Sequence, residues 1–123
     1  MAAAGNGGSA GRTPFPASHP KVLGVTAVDV RLAPYPWSTP GTAMDVAALG
    51  VDLVAAVPGG YRRVSGSSYA SAIVSGALAR TPACARDRNP AAMRAAVVQA
   101  ARDLGAPGRD PRFGAGLFRL PVR

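Results

Sequence analysis

The segment Gly66-Ser67-Ser68-Tyr69-Ala70-Ser71 sets a glycine and two hydroxyls ahead of a run of small and apolar residues. Ala70, Ile73, Val74, Ala77 and Leu78 recur at helical spacing, which predicts a helix from Ser68 to about Arg80. A serine at that turn presents its hydroxyl beside backbone N–H groups that no helical partner satisfies. Such a position suits a nucleophile that must stabilise a developing oxyanion. About sixty residues earlier, Ala2-Ala3-Ala4-Gly5-Asn6-Gly7-Gly8 holds one asparagine in a glycine-rich turn. Its side-chain amide is a second donor of the right kind. A serine still needs a base. The sole histidine, His19, lies in a proline-bracketed loop, where a surface role is expected. Asp29, Asp45 and Asp52 begin or follow strands, and turn or structural roles account for them.

Other elements must position these two segments. Residues 1–20 read as a loop following the end of a strand, stiffened by Pro14, Pro16 and Pro20. Val22 to Val28 is continuous and β-branched, the pattern of a buried strand. Shorter strands are expected at Asp45–Ala48 and Leu53–Ala56, separated by Gly50 and closed by Pro58-Gly59-Gly60. The helix after Ser68 carries small residues opposite its apolar stripe, and packing on all sides is predicted for it. In a second helix Asn89 is the N-cap and Pro90 the first residue. Met93, Val97, Ala100 and Leu104 form its stripe, and Gly105 its terminator. Phe113 to Phe118 reads as a turn leading into a short strand. No internal repeat occurs.

A chain of 123 residues with 48% hydrophobic residues is one domain's worth of sequence with a real core. Its 15 glycines and 12 prolines demand many turns. Fourteen basic against six acidic residues give a formal charge of +8, and Lys21 is the only lysine. Apart from Arg62-Arg63 the arginines are scattered, with no interleaved aromatics to stack bases. No specific nucleic-acid partner is expected, only salt-sensitive adhesion to polyanions. Cys84 is alone, which excludes an intrachain disulfide, and a buried thiol is expected. No apolar run is long enough for a membrane span or a signal peptide.

On these segments the chain resembles the subtilisin-like serine proteases (subtilases) over almost all of its length. Gly66-Ser67-Ser68-Tyr69-Ala70-Ser71-Ala72-Ile73-Val74-Ser75-Gly76 resembles the family's nucleophile segment, and Ala3-Ala4-Gly5-Asn6 its oxyanion turn. Phe15 to Val22, Val25 to Asp29, Met44 to Gly50 and Asp103 to Leu117 match further family blocks in order and spacing. The resemblance implies an α/β, three-layer fold with a mostly parallel sheet, of which residues 1–123 are the C-terminal part of the catalytic domain. It implies peptide-bond hydrolysis on a protein or peptide substrate. Ser68 is then the nucleophile, Asn6 the oxyanion donor, and Gly66 and Ser67 the nucleophile turn. Sedolisin-type relatives use an aspartate as the oxyanion residue, and Asn6 argues against them.

The family's catalytic Asp and His motifs precede the asparagine turn, and neither occurs in this sequence. The missing N-terminal part of the domain is therefore the implied partner, and an inactive remnant or interaction module the alternative. The nearest departures are Leu49 in place of a proline, and Ala72 where the family has a proline that shapes the start of the nucleophile helix. No cofactor is required by this chemistry. Family members often bind calcium through loop carbonyls near the segment matching Thr13–Pro20, but no sequence motif marks a metal site here. The family also implies a secreted or cell-envelope parent protein.

Overall fold

The computed structural model describes residues 1–81 and 89–120. Three parallel strands form its centre: β1 (Ala2–Ala3), β2 (Gly24–Val28) and β3 (Met44–Leu49), in that order. Every residue of β2 is buried, as are the first five of β3. That matches strands covered on both faces, which read as continuous apolar runs. β2 begins at Gly24, later than the pattern predicts, because the Val22 N–H donates to His19 O and closes a turn there. A side chain on Gly24 would meet the Ala43 carbonyl at 2.5 Å, so only glycine fits where the two strands begin.

Alternate residues of the sheet face opposite layers. Val25, Ala27, Val46 and Ala48 pack with Ala70, Val74 and Leu78 of α1 (Ser67–Ala79) and Val97 of α2 (Pro90–Ala100). Val28 and Ala47 join Phe113 on the other face, with Leu104 and Leu117 against them. The outer edge of β3 is covered by the returning chain: the Ala47 N–H donates to Gly116 O and the Phe118 N–H to Ala47 O. The result is the expected α/β arrangement of a mostly parallel sheet flanked by helices.

Five local features depart from the sequence reading: first, residues 1–20, read as a loop, include β1, which pairs in parallel with β2. β4 (Leu53–Val57) pairs antiparallel with β5 (Gly60–Val64), a strand the sequence pattern did not suggest. Its residues are exposed except Val64, so the alternation that signals a strand is absent. The second helix ends at Ala100, with an extended C-cap at Ala101, one turn before Gly105. Gly105 instead takes φ +78 in a later turn, and Leu104 packs as a loop residue. Phe113 to Phe118 is no continuous strand: Gly114 pairs with Asp110, and Leu117 with Ala47 and Arg102. Finally, α1 is not packed all round: Tyr69 and Ile73 are 36% and 43% exposed, and among the described residues nothing would lie within 4 Å of a Cβ on Gly76.

α2 starts as its sequence dictates. Asn89 Oδ1 accepts from the Ala91 and Ala92 N–H groups at 3.0 and 3.3 Å, and Pro90 follows the cap. Ala72 is the sixth residue of α1, inside its second turn rather than at its start. Alanine is the best helix former, and it retains the backbone donor a proline would lack, so no loosening follows from it. Cys84 lies outside the described residues. Among the described residues no helix is long and apolar enough to cross a membrane.

Candidate active site

The carboxyl ends of the strands converge on the start of α1. The Gly50 N–H, just past β3, donates to Val28 O at 3.0 Å, and the Gly66 N–H donates to Gly50 O at 2.7 Å. A side chain on Gly50 would lie 2.7 Å from Ala27 Cβ and 2.8 Å from Gly66 O. The missing Cβ lets the end of the sheet touch the helix cap directly. Gly66 itself has φ 155 and ψ 153, a region essentially confined to glycine.

Asn6 meets this cap from β1. Its Oδ1 accepts from the Ser67 N–H and from Ser67 Oγ, both at 3.0 Å. Ser67 is fully buried, and its Oγ also accepts from the Gly5 N–H at 3.2 Å and lies 3.2 Å from Gly5 O. One hydroxyl proton serves the two oxygens, and the shorter contact is to Asn6. With Oδ1 so occupied, the Asn6 amide nitrogen is left without a partner among the described residues. The backbone N–H and the hydroxyl of Ser68 are also unpaired there, and Ser68 is exposed. The structure thus brings together all four sequence-predicted residues: Asn6, Gly66, Ser67 and Ser68.

His19 is not among them. It lies just before β2, at the amino end of the sheet, and its Nδ1 accepts from the Lys21 N–H at 3.1 Å. Its ring stands edge-on to Phe15. Asp29 accepts from the Arg31 and Ala33 N–H groups, and the Asp52 N–H is held by Ser65 Oγ, so both serve turns. Asp45 is buried, and Arg94 and Arg109 bind its carboxylate at 2.8 and 3.0 Å.

Sequence reasoning overlooked Thr39, which holds the asparagine turn in shape. Thr39 is buried, its Oγ1 accepts from the Gly7 N–H at 3.0 Å, and its own N–H donates to Gly5 O at 3.0 Å. The only signal available was its place in a turn-rich segment. Gly50 was read merely as a strand separator.

A parallel sheet whose carboxyl ends present a serine at a helix start beside an asparagine amide defines a class of hydrolase-like sites. The subtilase family model of peptidases matches residues 1–116, and the chain belongs to that family. It is 41% identical over 118 residues to a thermophilic serine proteinase of Bacillus sp. (strain AK1), covering 93% of this chain and 28% of that protein. To subtilisin of Bacillus pumilus it is 40% identical over 82 residues, 63% of this chain and 30% of that one. Among solved structures, the prenylagaramide maturation protease PagA superposes with a TM-score of 0.79 at 30% identity. The match covers 96% of this chain and 46% of PagA. Fervidolysin from Fervidobacterium pennivorans, a keratinolytic enzyme related to subtilisin, gives 0.83 at 26% identity, covering 96% and 21%. This chain spans less than half the length of each of these relatives.

Proposed function

We propose that residues 1–123 are the C-terminal portion of a subtilisin-like serine endopeptidase domain. Ser68 is its nucleophile and Asn6 its side-chain oxyanion donor. The observation that carries this reading is the Ser67–Asn6 clamp: by occupying Oδ1 it leaves the Asn6 amide and the Ser68 N–H free at one helix start. In the reaction, Ser68 Oγ attacks the scissile carbonyl carbon and gives its proton to a histidine, which later protonates the leaving amine. The carbonyl oxygen becomes an oxyanion held by Asn6 Nδ2 and the Ser68 N–H, with the positive end of α1 behind it. Water then releases the acyl group from Ser68.

The histidine and its orienting aspartate come, on this reading, from sequence outside these 123 residues. His19 is a poor substitute, because it sits at the other end of the sheet with Nδ1 already engaged. Two surfaces support docking of such a segment: the exposed side of α1 and the outer edge of β1, unpaired among the described residues. The substrate is a protein or peptide, and membership of the family supports a secreted or cell-envelope parent protein. The test is fluorophosphonate labelling of a protein extended upstream to include both motifs. Labelling abolished by Ser68→Ala supports the reading. A folded, extended protein that stays unlabelled leaves a non-catalytic remnant or interaction module, which the lack of a base in this chain favours as the second reading.

We infer further that four carbonyls of the Thr13–Pro20 loop are committed within the fold rather than offered to a calcium ion. The Pro14, Pro16 and His19 carbonyls accept the Ser18, His19 and Val22 N–H groups, and Pro20 O accepts from Arg94. Among the described residues no group of three or more metal-ligating side chains gathers. A chelator is expected to leave the unfolding midpoint unchanged.

A further inference from the structure

At the amino ends of the strands, away from Ser68, a cavity of about 650 Å³ is bounded by Lys21, Asp45, Arg94 and Arg109. Pro20, Pro90, Ala95 and Val98 supply an apolar wall. The charges do not balance. Arg94 engages each of its three nitrogens, with Nε on Asp45 Oδ2 at 3.0 Å, Nη2 on Oδ1 at 2.8 Å and Nη1 on Pro20 O. The Gly24 N–H adds a further bond to Oδ2 at 2.9 Å. Asp45 is therefore satisfied before Arg109 is counted.

Arg109 uses only Nη2, on Met44 O at 2.6 Å, Asp45 Oδ1 at 3.0 Å and Thr42 O at 3.4 Å. Its Nε and Nη1 have no partner among the described residues, and neither has Lys21 Nζ. Among the described residues three cations face one carboxylate around this cavity, an excess that lowers the energy of any anion entering it. A guanidinium with unused N–H groups pairs best with a carboxylate, in charge-assisted hydrogen bonds. The volume and apolar wall suit a small organic ligand rather than a bare ion.

We propose that this cavity binds a carboxylate borne on a small apolar body, as at the C-terminus of a peptide. Arg109 and Lys21 take the carboxylate, and the Pro90, Ala95 and Val98 wall takes the side chain. The site is independent of Ser68 and does not rest on the protease reading.

Equilibrium dialysis of radiolabelled N-acetyl-leucine against the 123-residue chain tests it, with N-acetyl-leucinamide and inorganic phosphate as competitors. Saturable binding at one site per chain is expected, weakening as salt is raised. Arg109→Gln should weaken it about tenfold or more, the loss of a charged hydrogen bond. Lys21→Gln should weaken it about threefold, as for an exposed charge. The Lys21 side chain bonds to nothing among the described residues, so that variant separates binding from folding, and circular dichroism checks Arg109→Gln. No saturable binding, equal competition by the amide, or full affinity in both variants overturns the proposal. Phosphate competing as well as unlabelled N-acetyl-leucine also overturns it, leaving only a general anion site.

Discussion

Ser67, not Ser68, is the residue on which the geometry of the site turns. Its hydroxyl and N–H both hold Asn6 Oδ1, so the amide can face only away from the helix cap. Ser67→Ala removes the buried hydroxyl and leaves the Gly5 N–H without an acceptor, a loss of about 1–3 kcal/mol. Denaturant midpoints measure it. In the extended protein the same change should lower kcat while leaving KM nearly unchanged, since a misdirected Asn6 fails mainly at the oxyanion. Asn6→Ala should act in the same way and more strongly. The expected loss in kcat is about a hundredfold to a thousandfold, a magnitude carried over from the corresponding donor in subtilisin, itself a member of this family. Equal kcat in wild type and Asn6→Ala would remove Asn6 from the mechanism.

At the scale of elements, Gly50 and Gly66 fix where α1 starts, and one ion cluster ties β3 to α2. Gly66→Ala forces a side chain into a backbone region that only glycine occupies comfortably, at a cost of about 1–3 kcal/mol. Thermal or urea unfolding should show this loss even though a Cβ there would have room, 3.4 Å from the nearest atom. Asp45 ties the start of β3 to α2 through Arg94, and to the loop before Asp110 through Arg109. Removing one partner of a fully buried pair typically costs about 3–5 kcal/mol. The two guanidiniums here are 32% and 42% exposed and regain water when Asp45 is lost. Asp45→Ala should therefore cost about 2–3 kcal/mol, read from the urea midpoint. A shift below half of that would mean the cluster is incidental to the fold.

For the whole molecule the decisive quantities are the uncovered face of α1, the open edge of β1 and a charge of +8. Unpaired strand edges and apolar patches drive association, while like charges oppose it. The isolated chain should self-associate, more strongly as salt screens its charge. Light scattering or sedimentation across a salt series checks this. A concentration-independent monomer with a sharp unfolding transition would contradict it. Adding the upstream segment should abolish the association, because it would cover Tyr69 and Ile73.

The sequence alone marked the turns that carry Asn6 and Gly66-Ser67-Ser68, and the segments that become β2, β3 and β4. Gly-Ser-Ser before a helical stripe and Asn in a glycine turn are local patterns, set by backbone conformation and capping within a few residues. The N-cap at Asn89 was legible for the same reason. What lay beyond it was any feature whose cause is distant in sequence. β5 pairs with β4 although its side chains are exposed, so no alternation records it. α2 stops at Ala100, before its stripe runs out, because Arg102 bonds back to Leu117 and takes the chain out of the helix. The small face of α1 predicts neighbours all round, but only the tertiary structure shows that, among the described residues, Met1 alone reaches it, through Ser75, while Tyr69 and Ile73 beside it stay exposed. The Ser67–Asn6 contact spans 61 residues and depends on β1 and α1 meeting at the end of the sheet. Composition fixes which groups can bond, and packing decides which of them arrive.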